Sequence, residues 1–185
     1  LNIIEAESDR LTRMVSELLD FSRFISGKIT LAKEQVHLPT LLEQLRIQLA
    51  PRAQRQQLAF TVDAGDTGTI VSDANRLKQV FINLLDNAFK FTPPGGSVSL
   101  TAAISGKNVV FTVRDTGCGI PPDELPRVKE KFYKGKSSKS NSGIGLSLCD
   151  EIVRLMQGTL EVQSTVGEGT VVTVTLPQKD VKNDE

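Results

Sequence analysis

The sequence is poor in the residues that mark several common chemistries. Of its 185 residues two are cysteine, one is histidine, one is tyrosine and none is tryptophan. Cys118 and Cys149 are too few and too plainly spaced for a disulfide framework or a zinc site, so they read as two reduced thiols. Cys118 sits in a glycine loop, where it reads as a space-filling residue rather than a nucleophile. Neither sign of charge is in excess: lysine plus arginine and aspartate plus glutamate number 22 each. A protein held to DNA through its phosphates usually has a basic surplus, so nucleic acid is disfavoured as a partner. No run approaches the ~18 apolar residues of a membrane span, and no cleavable leader pattern opens the chain. These absences point to a cytoplasmic domain that makes no direct membrane contact. The chain begins inside a helical pattern and without methionine, as expected of a piece of a longer protein.

What is present describes one medium globular domain with an extension, at 39% hydrophobic and 24% charged residues. Residues 1 to about 27 read as one helix ended by Gly27. Ile4, Leu11, Leu18 and Ile25 recur every seven residues, with Met14, Val15 and Phe21 as a second stripe. Such a seam buries itself against partner helices of a bundle; the plainer alternative is one amphipathic helix lying on its own domain. From about residue 34 the pattern becomes mixed. Val36 and Leu38 suggest a short strand, and Pro39 with Thr40 opens a helix through about Arg55. Strands are expected over 58–62 and 69–72, then a helix capped by Asp73 and running to about Phe91. Residues 97–104 and 108–114 alternate as a hairpin with one buried face. Residues 134–142 are polar and read as a mobile loop. A helix over 145–156, a hairpin of 159–164 with 170–176, and a frayed tail follow.

Three segments carry chemistry. In Asn83-Leu-Leu-Asp-Asn-Ala-Phe-Lys90 the spacing puts Asn83, Asn87 and Lys90 on one helix face. Its neighbours Val80, Phe81, Leu84 and Leu85 make the helix mostly buried, so this polar face is less easily assigned to solvent. Amide oxygens are hard ligands suited to Mg²⁺, and a lysine can meet phosphate oxygens. Asp115-Thr-Gly-Cys-Gly-Ile120 follows a strand; its glycines let backbone approach a flat ligand, and its carboxylate can accept from an exocyclic amine. Ser142-Gly-Ile-Gly-Leu146 opens a helix, where unpaired amides favour an anion. A plain turn and a plain helix start would explain the last two taken singly. The Gly-x₄-Gly-Lys-Ser/Thr phosphate loop is absent.

In this order the segments resemble the N, G1 and G2 boxes of sensor histidine kinases. Lys131-Phe-Tyr-Lys134 resembles the F box, and Gly167-Glu-Gly-Thr170 the closing glycine turn. Asp73-Ala-Asn-Arg-Leu-Lys-Gln79 matches the start of the N-box helix. Glu7-Ser-Asp-Arg-Leu11 and Leu18-Leu-Asp-Phe-Ser22 resemble the second helix of the family's dimerisation hairpin. The resemblance implies an α+β protein: residues 1–33 from the dimerisation hairpin and linker, 34–178 an ATP-binding domain, 179–185 a tail. The implied domain is a Bergerat-type two-layer α/β sandwich, a mixed sheet covered on one face by helices. Asn87 would ligate Mg²⁺, with Asn83 and Lys90 near the phosphates. Asp115 would bond the adenine amine, with Gly117, Gly119 and Ile120 shaping its pocket. Tyr133 would pack near the nucleotide, Lys134 through Asn141 would form a lid, and Gly143, Ile144, Gly145 and Leu146 would meet phosphate. Thr170 would lie near the base. The implied activity is transfer of the γ-phosphate of Mg-ATP to a histidine of the dimerisation helix, for relay to a response-regulator receiver domain, in a homodimer.

The family's phosphoacceptor motif, a histidine followed by an acid, is absent, and the sole histidine, His37, reads as a bystander. Asn141 stands where the G2 box normally opens with glycine. ATPases of the same fold carry a glutamate four residues before the metal-binding asparagine, as general base on water. Here Asn83 stands there, and an amide cannot take that proton. A nucleotide-sensing scaffold of the same fold, with weak or no kinase activity, is the alternative from another class.

Overall fold

The computed structural model describes residues 2–130 and 145–178. Its first element, α1 (Asn2–Ile25), stops where the sequence predicts. Gly27 takes φ +66°, and its amide and that of Lys28 bond back to Phe24 and Arg23 carbonyls, a closure that favours a residue without Cβ. A short antiparallel pair, β1 (Glu34–His37) with β3 (Thr69–Ser72), brackets α2 (Leu38–Arg55) and β2 (Ala59–Asp63). The expected strand stops one residue early. Leu38 is fully buried and opens α2, with His37 as its N-cap and the His37 ring bonded to Thr40 Oγ1 at 2.8 Å. Proline is welcome in a helix's first turn, which explains how Pro39 follows so closely.

Asp73 caps α3 (Ala74–Phe91): its side chain accepts from Arg76 N at 3.0 Å and from Ala32 N at 3.0 Å. One carboxylate thus fixes both the helix start and the linker that precedes β1; such caps contribute about 1 kcal/mol. Next come β4 (Ser97–Ser105), β5 (Asn108–Asp115), a 3₁₀ turn (Leu125–Arg127), α4 (Gly145–Leu155), β6 (Thr159–Thr165) and β7 (Gly169–Pro177). The main sheet runs β2-β4-β5-β7-β6, parallel between β2 and β4 and antiparallel elsewhere.

The alternation read in the sequence decides which sheet face is covered. Val98, Leu100, Val109, Phe111, Val113, Val174 and Leu176 are buried, whereas Ser97, Thr101 and Arg114 are exposed. Leu42 and Leu45 of α2, Phe81 and Leu85 of α3, and Leu148 and Ile152 of α4 complete the core. The Phe81 and Phe111 rings, with centroids 4.8 Å apart, join helix layer to sheet. The chain therefore adopts the expected two-layer α+β sandwich.

The first helix has two faces. Phe21 is buried in the core cluster and Phe24 packs against it. Asp20 accepts from Gln79 Nε2 at 3.0 Å and Arg76 Nη1 at 3.3 Å. The heptad seam lies elsewhere: Ile4, Leu11, Leu18 and Ile25 keep 45–73% of their surface exposed. One face of this helix thus lies on its own domain, as the plainer reading has it, while the apolar seam is open. Among the described residues no helix is long and apolar enough to cross a membrane.

Candidate functional site

The α3 face carrying Asn83, Asn87 and Lys90 is half-buried at all three positions. Between them stands a residue the sequence reading passed over. Asp86 is paired with Lys90 Nζ at 3.2 Å, hydrogen-bonded by Arg52 Nη1 of α2, and 3.8 Å from Arg13 Nη1 of α1. Burial by itself pushes the Asp86 carboxyl up. The Arg52 hydrogen bond and the Lys90 charge outweigh it, holding the group below its ordinary value and ionised. The spacing of Asp86 and Lys90 was a visible signal; Arg52, 34 residues distant, was not. Arg52 also lies over the Phe89 ring, 5.3 Å from its centroid.

Asn83 faces partly inward. Its Nδ2 is buried without a conventional partner, and its interaction is with the Cys149 thiol, whose sulfur is a weak acceptor. Burial pushes that thiol up to about 12, and it donates to Val80 O at 3.6 Å. Cys149 is thus an inert core residue. Cys118, in contrast, is exposed and fills no space.

The second segment, residues 115–120, is held by its backbone. Asp115 Oδ1 accepts from Gly117 N at 2.8 Å and Thr170 N at 3.3 Å, which leaves Oδ2 to accept from a ligand. Burial raises the Asp115 pKa above its ordinary value despite those two bonds. A Cβ on Gly117 would lie 2.5 Å from Phe91 O. One on Gly119, which has φ +74°, would lie 2.2 Å from Thr165 O. Thr170 sits directly opposite Asp115 in the β5–β7 register. Ser164, which the sequence did not single out, and Gly169 of the closing glycine turn complete this end. Ser164 Oγ receives the Ile120 amide at 2.8 Å and lies 2.8 Å from Thr170 Oγ1. Gly169, with φ +122°, passes so close that a Cβ would lie 2.0 Å from Asp115 O. The positive φ values and close approaches needed tertiary neighbours to be recognised.

The two segments meet. Cys118 N donates to Phe91 O at 3.1 Å, tying the loop to the end of the helix that bears Asn87 and Lys90. Asn87 lies one helical turn, about 5 Å, before that bond. Gly145 and Leu146, both half-buried, open α4, which packs along α3. The expectations for Tyr133, Lys134, Asn141, Gly143 and Ile144 lie outside the described residues. Among the described residues no group of three or more His, Cys, Asp or Glu is placed to hold a metal ion. Apart from Asp86, whose oxygens are taken by cations, the oxygen donors on this face are neutral amides. They fit a hard, oxygen-preferring cation that keeps water and phosphate as its other ligands.

Residues 72–180 match the family model described as histidine kinase-, DNA gyrase B-, and HSP90-like ATPase. The adaptive-response sensory kinase SasA of Synechococcus elongatus is 36% identical over 171 residues, covering 90% of this chain and 44% of that protein. The sensor protein SrrB of Staphylococcus aureus is 32% identical over 97% of this chain and 32% of its own length. The chain therefore spans less than half the length of these curated relatives. Full-length ShkA, solved with AMPPNP, superposes with TM-score 0.86 at 30% identity, over 98% of this chain and 39% of ShkA. The histidine kinase ThkA, solved with the response regulator TrrA, shares the fold at TM-score 0.76 and 22% identity, over 96% of this chain and 50% of that one.

Proposed function

Because this chain belongs to the histidine kinase-, DNA gyrase B- and HSP90-like ATPase family, we propose that it is the catalytic region of a histidine kinase. In this reading it binds Mg-ATP and passes the γ-phosphate to a histidine on the dimerisation helix of its parent. The observation that supports this best is the Cys118–Phe91 bond of 3.1 Å. It ties the loop that carries Asp115 to the end of the helix that carries Asn87 and Lys90, and in this reading the two ends take the adenine and the triphosphate of one nucleotide.

Each residue then has a task. Asp115 Oδ2 accepts from the adenine amine, while Gly117 N and Thr170 N hold the other oxygen. Gly117 and Gly119 let the loop close on the Phe91 and Thr165 carbonyls and so shape the pocket of the base, with Ile120 and Thr170 fixed beside it through Ser164. Lys90 meets phosphate oxygens, Asn83 lies near them, and Asn87 would supply an amide oxygen to Mg²⁺. That ion offsets the charge developing on the transferring phosphoryl group. Backbone amides of Gly145 and Leu146 face the phosphates at the start of α4. Tyr133, Lys134, Gly143 and Ile144 contribute from the segment between. Asn83 favours a histidine acceptor over water, since an imidazole is already nucleophilic and needs no base from this position.

The relay partner in this reading is a receiver domain, and the parent is a homodimer joined through residues 1–33, with 34–178 as the ATP-binding unit. The test mixes this chain, γ-labelled Mg-ATP and a separate hairpin domain carrying the histidine. Acid-labile label on the hairpin supports the reading. ATP binding without label would make the chain a nucleotide-sensing scaffold, and no binding would overturn both.

A further inference from the structure

Asp86 is the one acid on the helix face that also carries Asn87 and Lys90, and its surroundings are unlike those of a solvated surface carboxylate. Its side chain retains 15% of its surface, and the two basic partners nearest it retain 26% (Arg52) and 22% (Lys90). The carboxylate oxygens are divided: Oδ1 takes the Arg52 guanidinium, and Oδ2 takes the Lys90 ammonium at 3.2 Å. With both oxygens occupied it is placed neither to ligate a metal nor to take a proton from an acceptor. Arg52 is held in turn, stacked over Phe89 on the neighbouring helix.

This arrangement has a consequence for Lys90. A lysine ammonium is a point charge on a flexible stem, with no fork of its own to fix direction. Near the C-terminal end of α3 it is free to trail off toward the helix carbonyls, which attract cations. Asp86 lies four residues earlier, about 6 Å along the axis, so pairing draws the ammonium back from the helix end toward Asn87. Arg52 keeps Asp86 from following the lysine outward. We propose that Asp86, anchored by Arg52, is a positioning residue that sets Lys90 beside Asn87 for the phosphates. The proposal rests on the reading that Lys90 meets phosphate.

Removing the carboxylate takes away a negative charge near the phosphates while loosening the cation. Affinity and turnover should therefore separate. Asp86→Asn is expected to leave the dissociation constant for Mg-ATP within about threefold or to tighten it. Transfer to the separate histidine hairpin should fall by about 10- to 100-fold, the scale of a misplaced reacting group. Asp86→Glu should recover part of the rate. In a Lys90→Gln background Asp86→Asn should cost nothing further, because the group through which it acts is gone. Arg52→Lys, which keeps charge but loses the fork, should show a smaller loss that is likewise absent in that background. Should Asp86→Asn fail to fold, Arg52→Lys carries the same comparison. Wild-type turnover in Asp86→Asn, or an equal loss with and without Lys90, would overturn the proposal. Failure of the functional reading looks different, since the unsubstituted chain would then leave the hairpin unlabelled. In that case side-chain NMR of Lys90 in the ligand-free chain still tests the pairing: a Lys90 signal indifferent to Asp86→Asn sinks it.

Discussion

The 115–120 loop is held in place by backbone, whereas the end of α3 is held by charged side chains. The first end is fixed because nothing in it can yield. Carbonyls of Asp115 and Thr165 stand where a Cβ on Gly169 or Gly119 would be, at 2.0 and 2.2 Å. The second end is fixed only by the balance of Arg52, Lys90 and Arg13 around Asp86. Its two acids record the difference. Asp115 is held by neutral amides and has its pKa raised by burial, whereas Asp86 is held by cations and stays low. A flat base is recognised by shape, which suits rigid backbone. A phosphate chain that gains and loses charge suits groups that can adjust.

The harshest way to break this comparison is to give the rigid end a side chain. Gly169→Ala meets both a strained φ and a backbone collision, and should cost about 4 kcal/mol of stability. That corresponds to roughly 8–16 °C in melting temperature for a chain of this size. A melt within a degree of the parent would show that the loop is not rigid.

Asn87→Ala comes next. It should lower phosphotransfer by about 100-fold or more, with a much smaller loss of nucleotide affinity. Equal losses in single-turnover and binding measurements would contradict the metal role. Asp115→Ala leaves the adenine amine without its acceptor and should weaken ATP by about 1–3 kcal/mol. An affinity unchanged in calorimetry would remove Asp115 from the site.

Melting as a function of pH separates the two acids by sign. Asp86 has a folded-state pKa below its unfolded value near 3.9. Its contribution is therefore present above about pH 4 and is lost as pH falls through the folded pKa. Asp115 has a raised value, so its contribution is full below about pH 4 and is lost as pH rises through its folded pKa. At pH 7 Asp86→Asn should melt below the parent, and Asp115→Asn at or above it, with both gaps closing toward acid. Gaps of the same sign would erase the contrast. The smallest effect on either end is expected from Leu11→Glu with Leu18→Glu, on the open seam of α1. This pair should abolish concentration-dependent self-association in sedimentation while leaving ATP affinity within about twofold. A change in affinity would mean that the seam is coupled to the cleft.

How much was legible depended on the range of the cause. The polar α3 face, the Asp73 cap and the alternating β4–β5 hairpin follow from residues within one turn or one pleat of each other, and they stand where expected. Leu38 was misplaced because a buried leucine fits a strand end or a helix start equally: its amide bond to Gly68 O continues the β1–β3 ladder, while the residue itself opens α2. Cys118 was given a packing role because its loop's outward course is set by contacts with Phe91 and with the Gly167 amide.

The sequence alone determined the order of elements, the buried sheet face and the family motifs, since hydrophobic period and glycine placement act locally. Only the tertiary structure decided that Asp86 joins three helices, that Ser164 and Gly169 wall the Asp115 end, and which stripe of α1 is covered. Those facts depend on approaches of a few ångströms between residues far apart in the chain. Charge pairing and steric collision act at that range, and neither leaves a period in the sequence.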